Sequence, residues 1–487
     1  MDVNNKIINE LPAIVWIGTK ALEERLDSYY YNPTFIKQYT QMINGNVGVI
    51  GEHFNVTKLS GFEYTKYFTD EALKNGEIIA ITSQNVGDCN LDIKEEKTMK
   101  IPSKLHNELT RSQLNYNDVV LSYTGHYRRA ALILENINQK LHLGPNVCKL
   151  SPKNSNVDSA FLCVYLNSYT GQVYMDREKT ISAQPTVNMD RIRNIQFPLP
   201  NIKIQNYIGN KIRKAEKLRE EAKSFISDAE AILAKELEFE DGNMLFKGHA
   251  GKLKTDSEYK TNYNYVPTEY IFERLDAKAY HSELLDTLKK VDKFKTEKLM
   301  NLLLSYDTGM SQLNYSEEGV GVVSTGTINN EFLGEIEKYT LDSIPDDKFL
   351  SSEDVLLTMY GATSIGKVDV LNKDLKNATF DYTLLRMKFK EDYPPYFMSL
   401  ILRTKLIQIQ IKYSINSGGG TNFLNRQSVL ELKIPIVPLE IRKKVNDLIK
   451  NANKNAIEAN ELILSAKNDI ETLIKGDLDE SVIKNVL

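Results

Sequence analysis

Phe197-Pro198-Leu199-Pro200 and Ile434-Pro435-Ile436-Val437-Pro438 are the two stretches on which the fold turns. Setting Pro198 on Pro435 gives an offset of 237 residues, and the segments that follow align at that offset without a gap. Ile204 meets Ile441, Ile208 meets Val445, Ile212 meets Ile449, Ala215 meets Ala452 and Ala222 meets Ala459. Phe225-Ile226 then meets Leu462-Ile463, Ala229 meets Ala466, Leu233 meets Ile470 and Leu237 meets Ile474. The apolar residues recur in steps of three and four, close to the 3.5-residue period of a coiled coil, for about five heptads. Proline marks both starts, neither interior contains one, and Gly242 and Gly476 punctuate the ends. The spacing predicts long helices over 202–240 and 439–475. A repeat at this offset is far too long for a solenoid, so the chain reads as a duplicated domain pair.

Each helix carries one apolar stripe and a charged remainder, such as Lys211, Arg213, Lys214, Glu216, Lys217, Arg219, Glu220 and Glu221 in the first. Such a stripe must be buried, and the nearest equivalent is its own duplicate. The predicted seam holds Ile208, Ile212, Ala222, Ile226 and Leu233 on the first helix, with Val445, Ile449, Ala459, Ile463 and Ile470 on the second. An antiparallel pair follows because the intervening region lets the chain turn back. The alanines at 215/452, 222/459 and 229/466 permit close approach. The other reading of the stripes is that each helix packs on its own local domain.

The chain has 487 residues, 41% hydrophobic and 26% charged, the composition of a soluble globular protein of two to four domains. No apolar run approaches the ~18 residues of a membrane helix, and Met1 to Glu10 shows no secretory signal, so a cytoplasmic location is expected. Cys89, Cys148 and Cys163 share no metal-ligand spacing with the six histidines, which favours reduced thiols over a disulfide framework or a metal site. A net charge of −4 means that any nucleic-acid binding rests on local basic surface or on a partner's share of the phosphate contacts.

Before each helix lie short apolar runs. Gly76 to Ile81, Asp118 to Tyr123, Val320 to Ser324 and Asp354 to Tyr360 read as strands, and Phe161 to Asn167 and Tyr396 to Thr404 as short helices. Gly418-Gly419-Gly420 reads as a turn whose counterpart is Ser182-Ala183-Gln184. Residues 241–262 are polar and glycine-bearing, a linker between halves.

The run Glu353-Asp354-Val355-Leu356-Leu357-Thr358-Met359-Tyr360-Gly361-Ala362-Thr363-Ser364-Ile365-Gly366-Lys367-Val368 resembles the strand-loop-strand of target-recognition domains in type I restriction-modification specificity subunits. A weaker copy lies at Asp118 to Gly125, offset by 236. Gly61-Phe62-Glu63-Tyr64-Thr65-Lys66-Tyr67 looks like a phrase of the same family, and Glu24-Arg25-Leu26-Asp27 and Glu273-Arg274-Leu275-Asp276 open the two halves in similar words. Gln184-Pro185-Thr186-Val187-Asn188, leading into Ile195 to Pro200, is similar to the family's entry into its long helix. The resemblance covers about residues 20–475. There are two departures: His126-Tyr127-Arg128-Arg129 faces Ala362-Thr363-Ser364-Ile365, and Thr421-Asn422-Phe423 faces Gln184-Pro185-Thr186.

The resemblance implies an α+β protein: two duplicated mixed α/β target-recognition domains joined by two long antiparallel coiled-coil helices. The layout is a first domain over 1–200, a central helix over 201–240, the linker over 241–262, a second domain over 263–437, a C-terminal helix over 438–475 and a tail over 476–487. It implies a non-catalytic subunit that reads a bipartite double-stranded DNA target, one half-site per domain, and docks two DNA methyltransferase subunits. S-adenosylmethionine would belong to those partners, with no cofactor in this chain, and a restriction and translocase subunit would join some assemblies. A related modification system without that nuclease fits equally. A helix of ~39 residues spans roughly 60 Å, on the order of 17 base steps, enough to set half-sites a turn or more apart.

Candidate DNA contacts are Tyr123, Thr124, His126, Tyr127, Arg128 and Arg129 in the first loop, and Tyr360, Thr363, Ser364 and Lys367 in the second. Arg can fork onto guanine, and hydroxyls can bond phosphate or base edges. His126 has no carboxylate or cysteine cluster that would make it a metal ligand. Tyr174 and Arg177 read as packing and surface. A methyltransferase would need Asn or Asp directly before Pro-Pro-Tyr, but Asp392-Tyr393-Pro394-Pro395-Tyr396 puts a tyrosine there and reads as the turn before a helix. Gly361 to Lys367 has the glycine and lysine spacing of a P-loop, but Val368 stands where the Ser or Thr that holds Mg²⁺ is needed. The remaining alternative is a coiled-coil scaffold with two protein-binding heads.

Overall fold

The computed structural model describes residues 25–478, except 26, 44, 70–75, 94–97, 126–127, 135–138, 181, 183, 240–243, 246–265, 267, 269–276, 331–332, 335, 372–376 and 419–420. The chain is mixed α+β and falls into two compact units: Met1–Leu218 with Ile457–Leu487, and Arg219–Ala456.

In the first unit the strands are β1 (Val47–Val49), β2 (Phe54–Lys58), β3 (Ile78–Ile81), β4 (Met99–Ile101), β5 (Gln113–Leu114), β6 (Val119–Ser122), β7 (Ala130–Leu132), β8 (Leu141–Leu143), β9 (Val147–Pro152) and β10 (Gln196–Pro198). They form a four-stranded antiparallel sheet ordered β2-β9-β6-β7, a second sheet ordered β4-β3-β8-β5, and the pair β1-β10. Strand β6 is a continuous apolar run because both of its faces are buried. Val119 and Leu121 point into a core shared with the helix Ser159–Asn167, whereas Val120 faces Ile81 and Leu143 of the second sheet.

In the second unit the strands are β11 (Thr296–Lys298), β12 (Leu303–Thr308), β13 (Tyr315–Ser316), β14 (Val320–Val323), β15 (Tyr339–Thr340), β16 (Val355–Thr358), β17 (Val368–Val370), β18 (Ala378–Phe380), β19 (Leu384–Phe389), β20 (Ile415–Gly418), β21 (Thr421–Leu424) and β22 (Lys433–Pro435). The principal sheet is ordered β12-β19-β16-β17, with the second sheet β13-β15-β14-β18 and the pairs β11-β22 and β20-β21. Here too the central strand is buried on both sides, Val355 and Leu357 in one core and Leu356 in another. The helix Pro395–Leu402 is the next element after β19, and Lys405–Ser414 continues after a two-residue break, so the expected helix at 396–404 ends two residues early.

The long helices are Ile202–Glu236, of 35 residues, and Leu439–Lys475, of 37. Gly476 ends the second with φ +81°, a left-handed turn that favours glycine. Within the first unit Lys211 Nζ donates to Ser465 Oγ at 2.8 Å and pairs with Asp469, while Lys214 pairs with Glu458 at 2.7 Å. Numbers rise along one helix as they fall along the other, so the two run antiparallel and side by side. Within the second unit Asn455 Nδ2 donates to Glu221 Oε2 at 3.1 Å.

The expected seam residues are buried, with Ile226 the exception at half-buried. In the first unit Ile208, Ile212, Ala459, Ile463 and Ile470 share one core with Phe161 and Leu162; in the second, Leu233, Val445 and Ile449 share one with Phe397 and Leu400. Each stripe therefore meets both the other helix and its local domain, so the two readings of the stripes hold together.

The unit boundaries do not coincide with the ends of the expected segments. They fall inside both long helices, between Leu218 and Arg219 and between Ala456 and Ile457, because the two ends of each stripe are buried in different cores. The expected linker at 241–262 lies mostly outside the described residues. Its described part is no free tether: Met244 is buried and accepts from the backbone of Lys405, and Leu245 pairs with Thr404. Among the described residues no helix is long and apolar enough to cross a membrane.

Candidate nucleic-acid interface

The first candidate loop leaves the sheet at the end of β6. Ser122 N donates to Arg129 O at 2.9 Å, and Arg128 N donates back to Ser122 O at 3.0 Å, which closes the loop at its base. Tyr123 is half-buried against Lys58, whose Nζ lies 5.5 Å from the ring centre, and burial pushes its phenol above the usual range. Thr124 pairs with Thr186 across an isolated bridge, their hydroxyl oxygens 3.2 Å apart. Gly125 turns the chain with φ +77°. His126 and Tyr127 lie outside the described residues.

Arg128 and Arg129 part company. Arg128 has a left-handed φ of +74° and sends its guanidinium inward to an ion pair with Asp176, both side chains nearly buried. That geometry ties the loop to the helix Tyr169–Glu178, which carries Asp176. Arg129 is exposed and has no side-chain partner among the described residues, so its five N–H donors remain available. Arg177 departs from its expected place on the surface. It is buried rather than on the surface, its guanidinium 3.9 Å from the ring centre of Tyr30 and 4.5 Å from that of Tyr39. Tyr174 is buried as packing.

The second loop leaves β16 and returns as β17. Thr358 N donates to Lys367 O, and Gly366 N donates to Thr358 O, both at 3.0 Å. Gly361 and Gly366 take φ +111° and +89°, values that a side chain would oppose. Ile365 is fully buried and anchors the tip, which leaves Thr363 exposed and Ser364 and Lys367 half-exposed. Tyr360 stacks on Phe423 with centroids 6.1 Å apart and meets Tyr382 edge-on at 5.4 Å; Tyr382 is 49% exposed. The stretches before the long helices occupy one place despite their different letters. Thr186 bridges Thr124, and Phe423 bridges Tyr360. Phe423, which the sequence alignment sets against Thr186, and Tyr382 are not among the expected contacts.

The surfaces thus offer an exposed arginine and a partly exposed threonine in one unit, and hydroxyls, a lysine and an aromatic cluster in the other. Such groups can bond phosphates and base edges or stack on exposed rings. Among the described residues there is no cluster of three or more His, Cys, Asp or Glu fit to hold a metal ion.

Residues 50–224 match the family description "Type I restriction modification DNA specificity domain". The chain is 26% identical over 164 residues to the type I restriction enzyme EcoBI specificity subunit of Escherichia coli, a match covering 34% of this chain and 33% of that protein. The match thus spans about a third of the curated relative. Among solved structures it is similar to the type I restriction-modification S subunit from M. genitalium, at 14% identity and TM-score 0.43, covering 89% of this chain and 96% of that one. It is also similar to the HsdS subunit from Thermoanaerobacter tengcongensis, at 14% identity and TM-score 0.27, covering 89% and 97%.

Proposed function

We propose that the chain, whose residues 50–224 match the type I restriction modification DNA specificity domain, is a specificity subunit that reads a bipartite DNA target, one half-site through each unit. In this reading the units carry duplicated recognition domains. The first presents Thr124 and Arg129, and the second presents Tyr360, Thr363, Ser364 and Lys367. The long helices form an antiparallel two-stranded coiled coil whose length sets the gap between half-sites. Two DNA methyltransferase subunits dock on the chain and bring S-adenosylmethionine, a restriction subunit completes some assemblies, and the chain itself catalyses nothing. Function in the cytoplasm belongs to the same reading.

The observation that carries the reading is the recurrence of the loop frame. The family match covers the first loop. At an offset of 236 or 237 the second loop repeats the bridge to the pre-helix segment, and its return strand again bonds back to the end of the central strand. A conserved frame with different exposed groups suits two readers of different sequences. A net charge of −4 fits a subunit that shares its phosphate contacts with partners.

The test is genome-wide mapping of methylated sites by the chain assembled with its methyltransferase subunits. The expected pattern is two short specific blocks separated by a fixed unread gap. Removing one heptad from both helices keeps the seam in register and shortens each by roughly 10 Å. The gap should then shrink by about three base pairs with the blocks unchanged. A continuous target would overturn the reading.

A further inference from the structure

Behind each candidate loop stands a glutamine whose side-chain amide reaches the loop's backbone. Gln172, on the helix Tyr169–Glu178, donates its side-chain amide to Arg128 O at the end of the first loop and to Leu166 O at 2.5 Å. Gln408, on the helix Lys405–Ser414, donates to Gly366 O at 2.9 Å and to Leu402 O at 2.8 Å. The two residues lie 236 apart, and so do Leu166 and Leu402. Their carbonyl partners in the loops come just before Arg129 and Lys367, side chains assigned above to the DNA.

We propose that Gln172 and Gln408 are positioning residues for the two reading loops, an inference that rests on the bipartite-DNA reading. Each amide ties the backbone carbonyl before a contact residue to the C-terminal carbonyl of a buried helix. That helix is Ser159–Asn167 in one unit and Pro395–Leu402 in the other. Both carbonyls accept from one planar amide, so the distance between helix and loop is fixed within hydrogen-bond tolerance. A loop so tied offers its next side chain from a constant place, and pre-set geometry is what separates a right base from a wrong one. The amide is needed in both places although the loops differ. In the first loop the tied carbonyl belongs to Arg128, which is also held by Asp176; in the second it belongs to Gly366, which has no side chain to hold. Gln408 is fully buried, so a lost partner there would leave a carbonyl unpaired away from water.

The experiment uses the full chain assembled with its methyltransferase subunits and a duplex library randomised across the target, read by methylation. Gln172→Met and Gln408→Met keep side-chain length and remove the donors. Gln172→Met should cut discrimination against single mismatches roughly tenfold in one half-site and leave the other unchanged, and Gln408→Met should do the reverse. The untouched half-site in each molecule reports intact folding and assembly, which a general structural defect would spoil. Unchanged discrimination in both variants, or equal loss in both half-sites from one variant, overturns the positioning role. If Gln408→Met fails to assemble, the half-buried Gln172 position carries the test by itself. A parent complex that shows no bipartite preference would instead mark failure of the underlying reading.

Discussion

The two candidate loops close on the same backbone bonds and are held down by opposite chemistry. The loop after β6 is pinned by a nearly buried ion pair, Arg128 with Asp176. The loop after β16 is pinned by the fully buried Ile365 and by Tyr360 stacked on Phe423. An ion pair away from water is directional and fails badly when one partner is removed, whereas apolar contact degrades gradually. The frame is thus a property of the shared sheet and glutamine, and the means of holding each tip has been free to diverge along with the exposed groups.

The sharpest way to break the comparison is Asp176→Ala. It leaves the Arg128 charge poorly compensated in a buried place and should cost about 3–5 kcal/mol. Denaturant unfolding followed by proteolysis should show the first unit yielding early. Equal resistance in variant and parent would mean that the pair contributes nothing.

The helix seam separates the units next. Ile463 is 4% exposed in the first unit's core, so Ile463→Asp should destabilise by roughly 3–4 kcal/mol, the cost of burying an unpaired charge. Ile226 is half-buried in the second unit, and Ile226→Asp should cost only about 1 kcal/mol, because its carboxylate reaches water. Equal melting shifts would contradict the burial difference.

Acid should push the units in opposite directions. Burial raises the Asp369 carboxyl to about 7, against the donors of Asn329 and Asn330 and the charges of Arg403 and Lys367. The folded second unit therefore keeps a proton that the unfolded chain releases near its ordinary value of 3.8, so this stability is present at low pH and lost as pH rises towards 7. Between about pH 4.5 and 6.5 the loss should be roughly 3 kcal/mol, and Asp369→Asn should flatten it. In the first unit burial lowers His106 and His142, with a further push on each from Lys140 and His106 respectively. Their stability is present above the ordinary 6.5 and lost as pH falls through the depressed values. Proteolysis of each unit across this range reads both slopes, and parallel slopes would refute the assignment.

The smallest effect concerns reading itself. Arg129→Ala should relax one half-site by about 1–3 kcal/mol if the guanidinium forks onto a base, and Thr363→Ala with Lys367→Ala should touch only the other. Arg128→Ala should instead lower the stability of the first unit. Methylation mapping beside a melting curve separates these outcomes, and base relaxation by Arg128→Ala without loss of stability would restore it as a reader.

Much of this was legible in the letters. The matched stripes at an offset of 237 specified both long helices, since periodicity reports which face must be buried. The runs Val119-Val120-Leu121 and Val355-Leu356-Leu357 announced strands, and the structure placed them at the centre of their sheets, buried on both faces. The loop between Val355–Thr358 and Val368–Val370 was expected from the family resemblance, and its Gly361 and Gly366 take positive φ. What tertiary structure decided is how distant residues share space. Arg128 and Arg129 are adjacent and chemically alike, yet only the first can reach Asp176, a partner 48 positions away. The stripes predicted burial but could not say that each helix divides itself between two cores, because periodicity names a face and not its neighbours. Gln172 and Gln408 look like ordinary polar helix residues until folding places a loop carbonyl and a helix end within reach of one amide. Local propensity and pattern are written along the chain, whereas a hydrogen bond between remote segments exists only once the packing has brought them together.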